Sequence, residues 1–184
     1  MAGNGHVLFA DAAHFVSGTY LRGVWSILRV FVRAAPGRQR FNVLGAWDAI
    51  ARTLVTVTNT TAVNTDTMCD RLRAVAARGY VGPVTLVLDN ARYQRNGTVR
   101  GTARDPGIEL LFLPGYPPNL NLIERLWRFT TRRAVSGKYH PPFADFRAAV
   151  QGVRDGVGTT HADTLVSLMT LNFQEFEGVS LLAA

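Results

Sequence analysis

Three acidic residues lie next to hydrophobic segments of this 184-residue chain: Asp11 in FADAAHF, Asp89 in LVLDNARYQ and Glu124 in LPGYPPNLNLIERLW. We predict that Asp11 and Asp89 end buried strands and that Glu124 opens a helix directly after a strand and a turn. Carboxylates that converge at strand ends bind hard divalent cations, because Mg²⁺ prefers oxygen ligands. Two such ions can assist phosphodiester cleavage. The three acids therefore indicate metal-dependent phosphoryl-transfer chemistry.

Each acid also has a purely structural interpretation. Asp11 could cap the turn into AAHF, Asp89 could form a turn with Asn90, and Glu124 could complete a capping box that Asn121 begins. Each interpretation suffices for its own residue. Together they are weaker, because three separate caps have no reason to share a strand-end setting within one basic protein.

The elements that must position the acids follow from hydrophobic patterning. Apolar and β-branched runs predict a meander of antiparallel strands, the first within 6–15 and ending at Asp11 and the others over 23–33, 40–50 and 52–61. Polar capping types and apolar spacing predict a helix over 64–79, and further strands are predicted over 81–90 and 108–114. Strands that alternate with helices in this order imply a parallel part of the sheet with right-handed crossovers.

The helix that begins near Leu122 has two distinct faces at 100° per residue. Its apolar arc contains Leu122, Ile123, Leu126, Trp127 and Phe129, whereas its polar arc contains Glu124, Arg125, Arg128, Thr131 and Arg132. A carboxylate at position 124 can therefore point along the sheet surface toward the strand ends. Two further helices are predicted over 141–157 and 162–176.

The charge of the chain favours a polyanionic partner. A net charge of +7 and a pI near 10.5 favour nucleic acid, because each phosphate that is neutralised releases condensed counterions. Arg125, Arg128 and Arg132 form a stripe at helical spacing, which is either a solvated face or a contact with the DNA backbone.

Several other classes of protein and site are not indicated. No apolar run reaches the roughly 18 to 20 residues of a membrane span, and the N-terminus lacks the positive region of a secretory signal, so we expect a cytoplasmic, nucleoid-associated protein. Cys69 is the single cysteine and cannot form an internal disulfide. The four histidines lack close zinc-ligand spacing, and His14 is interpreted as a packing or hydrogen-bonding residue.

Taken together, the three acid motifs resemble the Asp, Asp, Glu catalytic domain of mariner superfamily transposases, in particular the bacterial insertion-sequence branch of the six-thirty type. The resemblance covers about residues 6 to 150, and 34 residues separate Asp89 from Glu124. It implies an α/β, ribonuclease H-like fold, in which a mixed five-stranded sheet is flanked by helices. The catalytic domain would cover residues 1–155, and a helical C-terminal extension would cover 156–184.

The resemblance also implies an activity, which is DNA strand cleavage and strand transfer during transposition. Asp11, Asp89 and Glu124 would be the catalytic residues and would bind two Mg²⁺ or Mn²⁺ ions. The partners would be transposon-end and target DNA, with a homodimer on the DNA and a separate N-terminal helix-turn-helix region outside this chain. Expected DNA contacts are Arg125, Arg128, Arg132, Asn90 and Asn121.

Two alternatives remain open, a catalytically inactive DNA-binding remnant and a ribonuclease H-like nuclease that acts on RNA in hybrids. The sequence also departs from the family pattern. Relatives commonly have His where this chain has Gln94, a second Pro where it has Gly115, and Pro where it has Leu122. The change at position 94 leaves the second acid without a neighbouring histidine.

Overall fold

A computed structural model describes residues 5–18, 39–114 and 120–173. Its centre is a mixed five-stranded sheet with the strand order β3-β2-β1-β4-β5. The strands are β1 (His6–Val16), β2 (Arg40–Asp48), β3 (Thr53–Asn59), β4 (Val84–Leu88) and β5 (Ile108–Phe112). The first three strands are antiparallel, and β1–β4 and β4–β5 are parallel. The predicted mixed sheet is therefore confirmed; the strand predicted over 23–33 lies outside the described residues.

Strand β1 is longer than the sequence indicates. The predicted strand ends at Asp11, but β1 continues to Val16 because it pairs with β2 from Leu8 opposite Asp48 to Val16 opposite Arg40. Its parallel pairing with β4 stops earlier, at Ala10 opposite Leu88. Asp11 is thus inside a strand, one position beyond the end of the β1–β4 ladder, and the interpretation of Asp11 as a turn cap is wrong.

Two helices cover one side of the sheet, which we call the α1 face. They are α1 (Thr65–Ala76) and α2 (Gly97–Arg104). A capping box between Asn64 and Thr67 begins α1, since an N-cap side chain satisfies an otherwise unpaired backbone N–H. The core on this face comprises alternate strand residues and apolar helix residues, including Leu8, Ala10, Leu86, Leu88, Met68 and Leu72.

Three helices cover the opposite side, the α3 face. They are α3 (Ile123–Thr130), α4 (Phe143–Asp155) and α5 (Ala162–Leu168). The core here contains the strand residues of the other parity, such as Phe9, Phe15 and Val87, packed against Leu126 and Trp127. Because side chains alternate along a strand, β1, β2, β3 and β4 each contribute to both cores.

The predicted amphipathic character of α3 is confirmed, because all five residues of its apolar arc are buried. A short π-helical turn, Thr131–Val135, continues it. Helix α4 lies within the range predicted for it, and its Phe146, Val150 and Val153 are buried. Helix α5 ends at Leu168, earlier than predicted, and Leu165 joins the same core. Among the described residues, no helix is both long enough and apolar enough to cross a membrane.

Candidate active site

Asp11 lies on the α3 face of the central strand. Phe9 and Ala13, the residues two positions away on each side, both pack into the α3-face core, and side chains at i and i±2 share one face of a strand. On β2, Asp11 is paired with Gly45. Gly45 carries no side chain, and the rings of Trp127 and the end of Ile123 occupy the space above it. Helix α3 is therefore packed directly beside Asp11.

Asp89 follows β4 at the level of Asp11. The last parallel pair joins Ala10 of β1 to Leu88 of β4, so the next residue of each chain segment is an aspartate. Val87, two positions before Asp89, belongs to the α3-face core. Asp89 is exposed, and Asn90 after it has a left-handed backbone with φ 69°, a conformation that asparagine tolerates in turns. The chain thus leaves the sheet immediately after the second acid.

Glu124 is the second residue of α3 and is half-buried. The packing of Ile123 and Trp127 against Gly45 brings the first turn of this helix over the β1–β2 pair. The alternative interpretation of Glu124 as part of a capping box is wrong, because the N-cap residue is Leu122 and no side chain caps the helix. The carboxylate of Glu124 is consequently not required by the helix terminus.

Asn121 anchors the start of α3 to the central strand. Its Nδ2 donates a hydrogen bond of 3.1 Å to the carbonyl oxygen of Ala10, the neighbour of Asp11. Its side chain is buried, with 3% exposure. This placement argues for a positioning role and gives no support to the expected DNA contact.

The charges of the three acids act on one another. The pKa of Asp11 is raised from 3.8 to about 6, mainly by burial and in part by the charges of Asp89 and Glu124. The backbone N–H of Ala12 and the guanidinium of Arg71 oppose this shift. Because a like charge disfavours the ionised form of a carboxyl group only at short range, the structure brings Asp11, Asp89 and Glu124 into one electrostatic cluster.

Gln94 orients the second acid. It is completely buried in a short 3₁₀ turn, and its Nε2 donates a 2.7 Å hydrogen bond to Oδ1 of Asp89. Its Oε1 accepts a hydrogen bond from the backbone N–H of Ala91 at 3.0 Å. An amide can donate to a carboxylate but does not titrate near neutral pH. Gln94 therefore holds Asp89 without acting as an acid or base.

Two further polar residues near the site have partners that the sequence alone does not reveal. Arg71 of α1 is completely buried and donates from Nη1 to the carbonyl oxygens of Asp11 and Gly45. His14 Nδ1 lies 2.7 Å from Asn42 Oδ1, which confirms the hydrogen-bonding interpretation of this histidine. Arg71 was missed because, on a helical wheel, a buried arginine looks the same as a solvated one.

The arginine stripe divides into two parts. Arg125 donates to the carbonyl oxygens of Leu168, Thr170 and Asn172 at 3.2, 2.8 and 2.9 Å, so it binds the segment after α5. Arg128 and Arg132 are exposed. All three line an open groove of about 870 Å³ together with Trp127, Thr131, Leu168 and Asn172. Of these three arginines, Arg128 and Arg132 have guanidinium groups that are free of such backbone partners in the described part of the chain.

The acid cluster has the chemistry of a divalent-cation site, although it does not have the compactness of a formed one. All three side chains supply hard carboxylate oxygens, and no lysine or arginine forms an ion pair with them among the described residues. Within residues 5–18, 39–114 and 120–173, no three His, Cys, Asp or Glu side chains are close enough to hold one metal ion. By donor type and charge, the three carboxylates fit Mg²⁺ or Mn²⁺.

Comparison with known proteins identifies the family. The sequence model described as "DDE superfamily endonuclease" matches residues 6–147, which is more than half of the chain and includes all three acids. The chain belongs to the DDE superfamily of endonucleases. The comparison with curated protein sequences gave no match.

Solved structures share the fold of this DDE superfamily member. The Mos1 mariner paired-end complex with Mn is 13% identical with a TM-score of 0.62, over 93% of this chain and 56% of that one. The Mos1 strand transfer complex is 15% identical with a TM-score of 0.61, over 93% and 56%. The HTLV-2 integrase catalytic core domain in complex with magnesium is 13% identical with a TM-score of 0.52, over 82% and 84%. The fold is therefore the ribonuclease H-like fold of transposase and integrase catalytic cores, and the chain spans little more than half of the transposase chains in these two Mos1 complexes.

Proposed function

We propose that this chain is the catalytic domain of a transposase that cleaves DNA strands and transfers them to target DNA. The observation that carries the proposal is that the charges of Asp89 and Glu124 both act on Asp11, within the segment that matches the endonuclease family. The reaction is hydrolysis of a phosphodiester that leaves a 3′-hydroxyl, followed by attack of that hydroxyl on a target phosphodiester.

Asp11, Asp89 and Glu124 would hold Mg²⁺ or Mn²⁺, with two ions expected. Bound there, the ions would activate the attacking oxygen and stabilise the leaving one. The chain's own contribution is positioning. Gln94 orients Asp89, Asn121 ties the start of α3 to the central strand, and the site stays open to solvent at Asp89, where a phosphodiester can approach.

DNA would lie along the exposed side of α3. Glu124 and Arg128 are four residues apart on α3, and residues four apart are neighbours on a helix surface. Arg132 follows in the π-helical turn that continues α3. Arginine suits phosphate because its planar fork binds oxygens in pairs. Asn90, half-exposed beside Asp89, is proposed as a further contact. We also propose that the domain works as a homodimer on DNA at the bacterial nucleoid, and that residues 156–184 form an extension to a catalytic domain of residues 1–155.

The test separates chemistry from binding. Asp89→Asn and Glu124→Gln each remove a negative charge with little change of shape, so we expect Mn²⁺-dependent nicking of plasmid DNA to be lost. DNA affinity arises from the basic surface and should be unchanged or slightly higher, since repulsion between carboxylate and phosphate is reduced.

Matched controls are Asp70→Asn and Glu109→Gln, which alter exposed acids elsewhere on the molecule. Both controls should nick DNA as the wild type does. Full cleavage by Asp89→Asn or Glu124→Gln would contradict the catalytic assignment. Preferred cleavage of an RNA–DNA hybrid over duplex DNA would instead indicate a ribonuclease H activity, and an inactive but DNA-binding wild type would indicate a remnant.

A further inference from the structure

A charged side chain is buried on the opposite face of the sheet, behind the acid cluster. Arg71 of α1 has 0% exposure. Its Nη1 donates to the carbonyl oxygen of Asp11 at 3.2 Å and to that of Gly45 at 3.4 Å. Asp11 and Gly45 are the two residues that pair across β1 and β2 at the level of the acids. Arg71 therefore binds the backbone of the β1–β2 pair at the level of Asp11, whose side chain lies on the opposite face of the sheet.

The local partners of Arg71 do not neutralise its charge. Nη2 donates to the sulfur of Met68, which is a weak acceptor, and Nε has no hydrogen-bond partner among the described residues. No carboxylate forms an ion pair with Arg71 in the described ranges. Burial of an uncompensated guanidinium costs several kcal/mol, and arginine does not lose its proton in proteins. A compensating negative charge must therefore act through space.

The acid cluster supplies that charge. Burial lowers the pKa of Arg71, whereas Tyr93, Asp11 and Asp89 oppose the effect. The relation is reciprocal, because Arg71 also opposes the rise in the pKa of Asp11. Three clustered carboxylates repel one another, and attraction by a fixed cation at short range offsets part of this repulsion. The positive charge of Arg71 and the negative charges of Asp11 and Asp89 thus offset one another.

We propose that Arg71 is the resident counter-charge of the acid site, a positioning residue that balances Asp11 and Asp89 from the α1 face of the sheet. It places a fixed positive charge behind the carboxylates when no cation is bound, and it holds the carbonyl groups of the Asp11–Gly45 pair. The inference rests on the proposed function only in naming the cation site. The charge coupling is a property of the metal-free protein.

The experiment is a double-mutant cycle on the metal-free full chain in EDTA at pH 7.5, with the melting temperature Tm as the readout. The variants are Arg71→Met, Asp11→Asn and the double variant, with Arg71→Gln as a second neutral substitution that keeps an amide donor. Asn at position 11 leaves the backbone carbonyl that Arg71 binds unchanged. Arg71→Lys keeps the charge, and Arg73→Met is the matched control because Arg73 is exposed on the same helix and pairs with Asp70.

If Arg71 compensates the acids, Arg71→Met and Arg71→Gln should lower Tm less in the Asp11→Asn background than in the wild-type background. The difference between the two losses should be roughly 2–4 °C. Arg71→Lys should retain much of the wild-type Tm, and Arg73→Met should show no coupling to Asp11. A neutral variant that folds only in the Asp11→Asn background supports the proposal as well. Additive losses of Tm overturn the proposal. Failure of both neutral variants to fold in either background also overturns it, because the hydrogen bonds to the backbone carbonyls would then account for the requirement for Arg71. None of these results depends on whether the protein cleaves DNA.

Discussion

Trp127 occupies the space that a side chain at Gly45 would need. A Cβ built on Gly45 would lie 2.6 Å from Cη2 of Trp127 and 2.8 Å from Cδ1 of Ile123, and both distances are shorter than real carbon contacts. The absence of a side chain on β2 thus lets α3 approach the sheet beside Asp11. The distance between the first and third acids depends on this close approach.

Gly45→Ala should therefore damage the site more than the fold. We expect the free energy of unfolding to fall by about 1–3 kcal/mol, the usual cost of overpacking a core. Cleavage should fall further than stability explains, because the displaced helix carries Glu124. Urea unfolding and Mn²⁺-dependent nicking measure the two effects. Gly101→Ala is the control, since its Cβ would meet open space in α2 and should stabilise the protein by about 0.5–1 kcal/mol. Equal behaviour of the two variants would contradict this role for Gly45.

Arg128→Gln and Arg132→Gln should weaken DNA binding without affecting the fold. Each phosphate contact that is lost should reduce the slope of log affinity against log salt concentration by about 0.9, for all DNA sequences alike. Arg125→Gln should behave differently, because Arg125 binds three backbone carbonyls; we expect a stability loss of about 1–3 kcal/mol. Fluorescence anisotropy over a salt series and urea unfolding distinguish the two outcomes. An unchanged slope in Arg128→Gln and Arg132→Gln would make them ordinary solvated residues.

The metal-free protein should lose stability as pH rises from about 4 to about 6. The pKa of Asp11 is about 6 in the folded chain, against 3.8 as its ordinary value. The folded state therefore binds more protons than the unfolded state in this window, and stability falls with increasing pH. The loss attributable to Asp11 is on the order of 2–3 kcal/mol. Urea unfolding in EDTA at several pH values should show it in the wild type, and Asp11→Asn should remove that component. An identical pH dependence in both proteins would contradict the shifted pKa.

Gln94 can be tested by exchanging its amide for a carboxylate. Gln94→Glu keeps an acceptor for the N–H of Ala91 but replaces the donor that binds Asp89. The two carboxyl groups would then face and repel each other. We therefore expect slower nicking and a loss of about 1–3 kcal/mol in the free energy of unfolding. Gln94→Leu removes both hydrogen bonds and serves as the comparison. Wild-type nicking by Gln94→Glu would show that the Gln94–Asp89 contact does not matter for the site.

Local sequence patterns determined much of this fold. The strands and helices that carry the acids were predictable, because alternation and helical spacing record which side of each element is buried. The apolar arc of α3 and the strand before Asp89 are examples, since both patterns lie within a few consecutive residues. The three acids indicated metal-dependent phosphoryl transfer, the net charge indicated a nucleic-acid partner, and the DDE type followed from the resemblance of the three motifs to a known family.

Tertiary structure alone decided the roles of the residues around the acids. Strand β1 extends past Asp11 because β2 pairs with it to Val16, and no local pattern states where a distant partner strand ends. Arg71 and Arg125 both occupy helical positions that would suit solvated arginines, yet one is buried behind Asp11 and the other binds carbonyls some 45 residues away. Polar side chains take whichever hydrogen-bond partners the packed elements bring within reach, and those partners are distant in sequence.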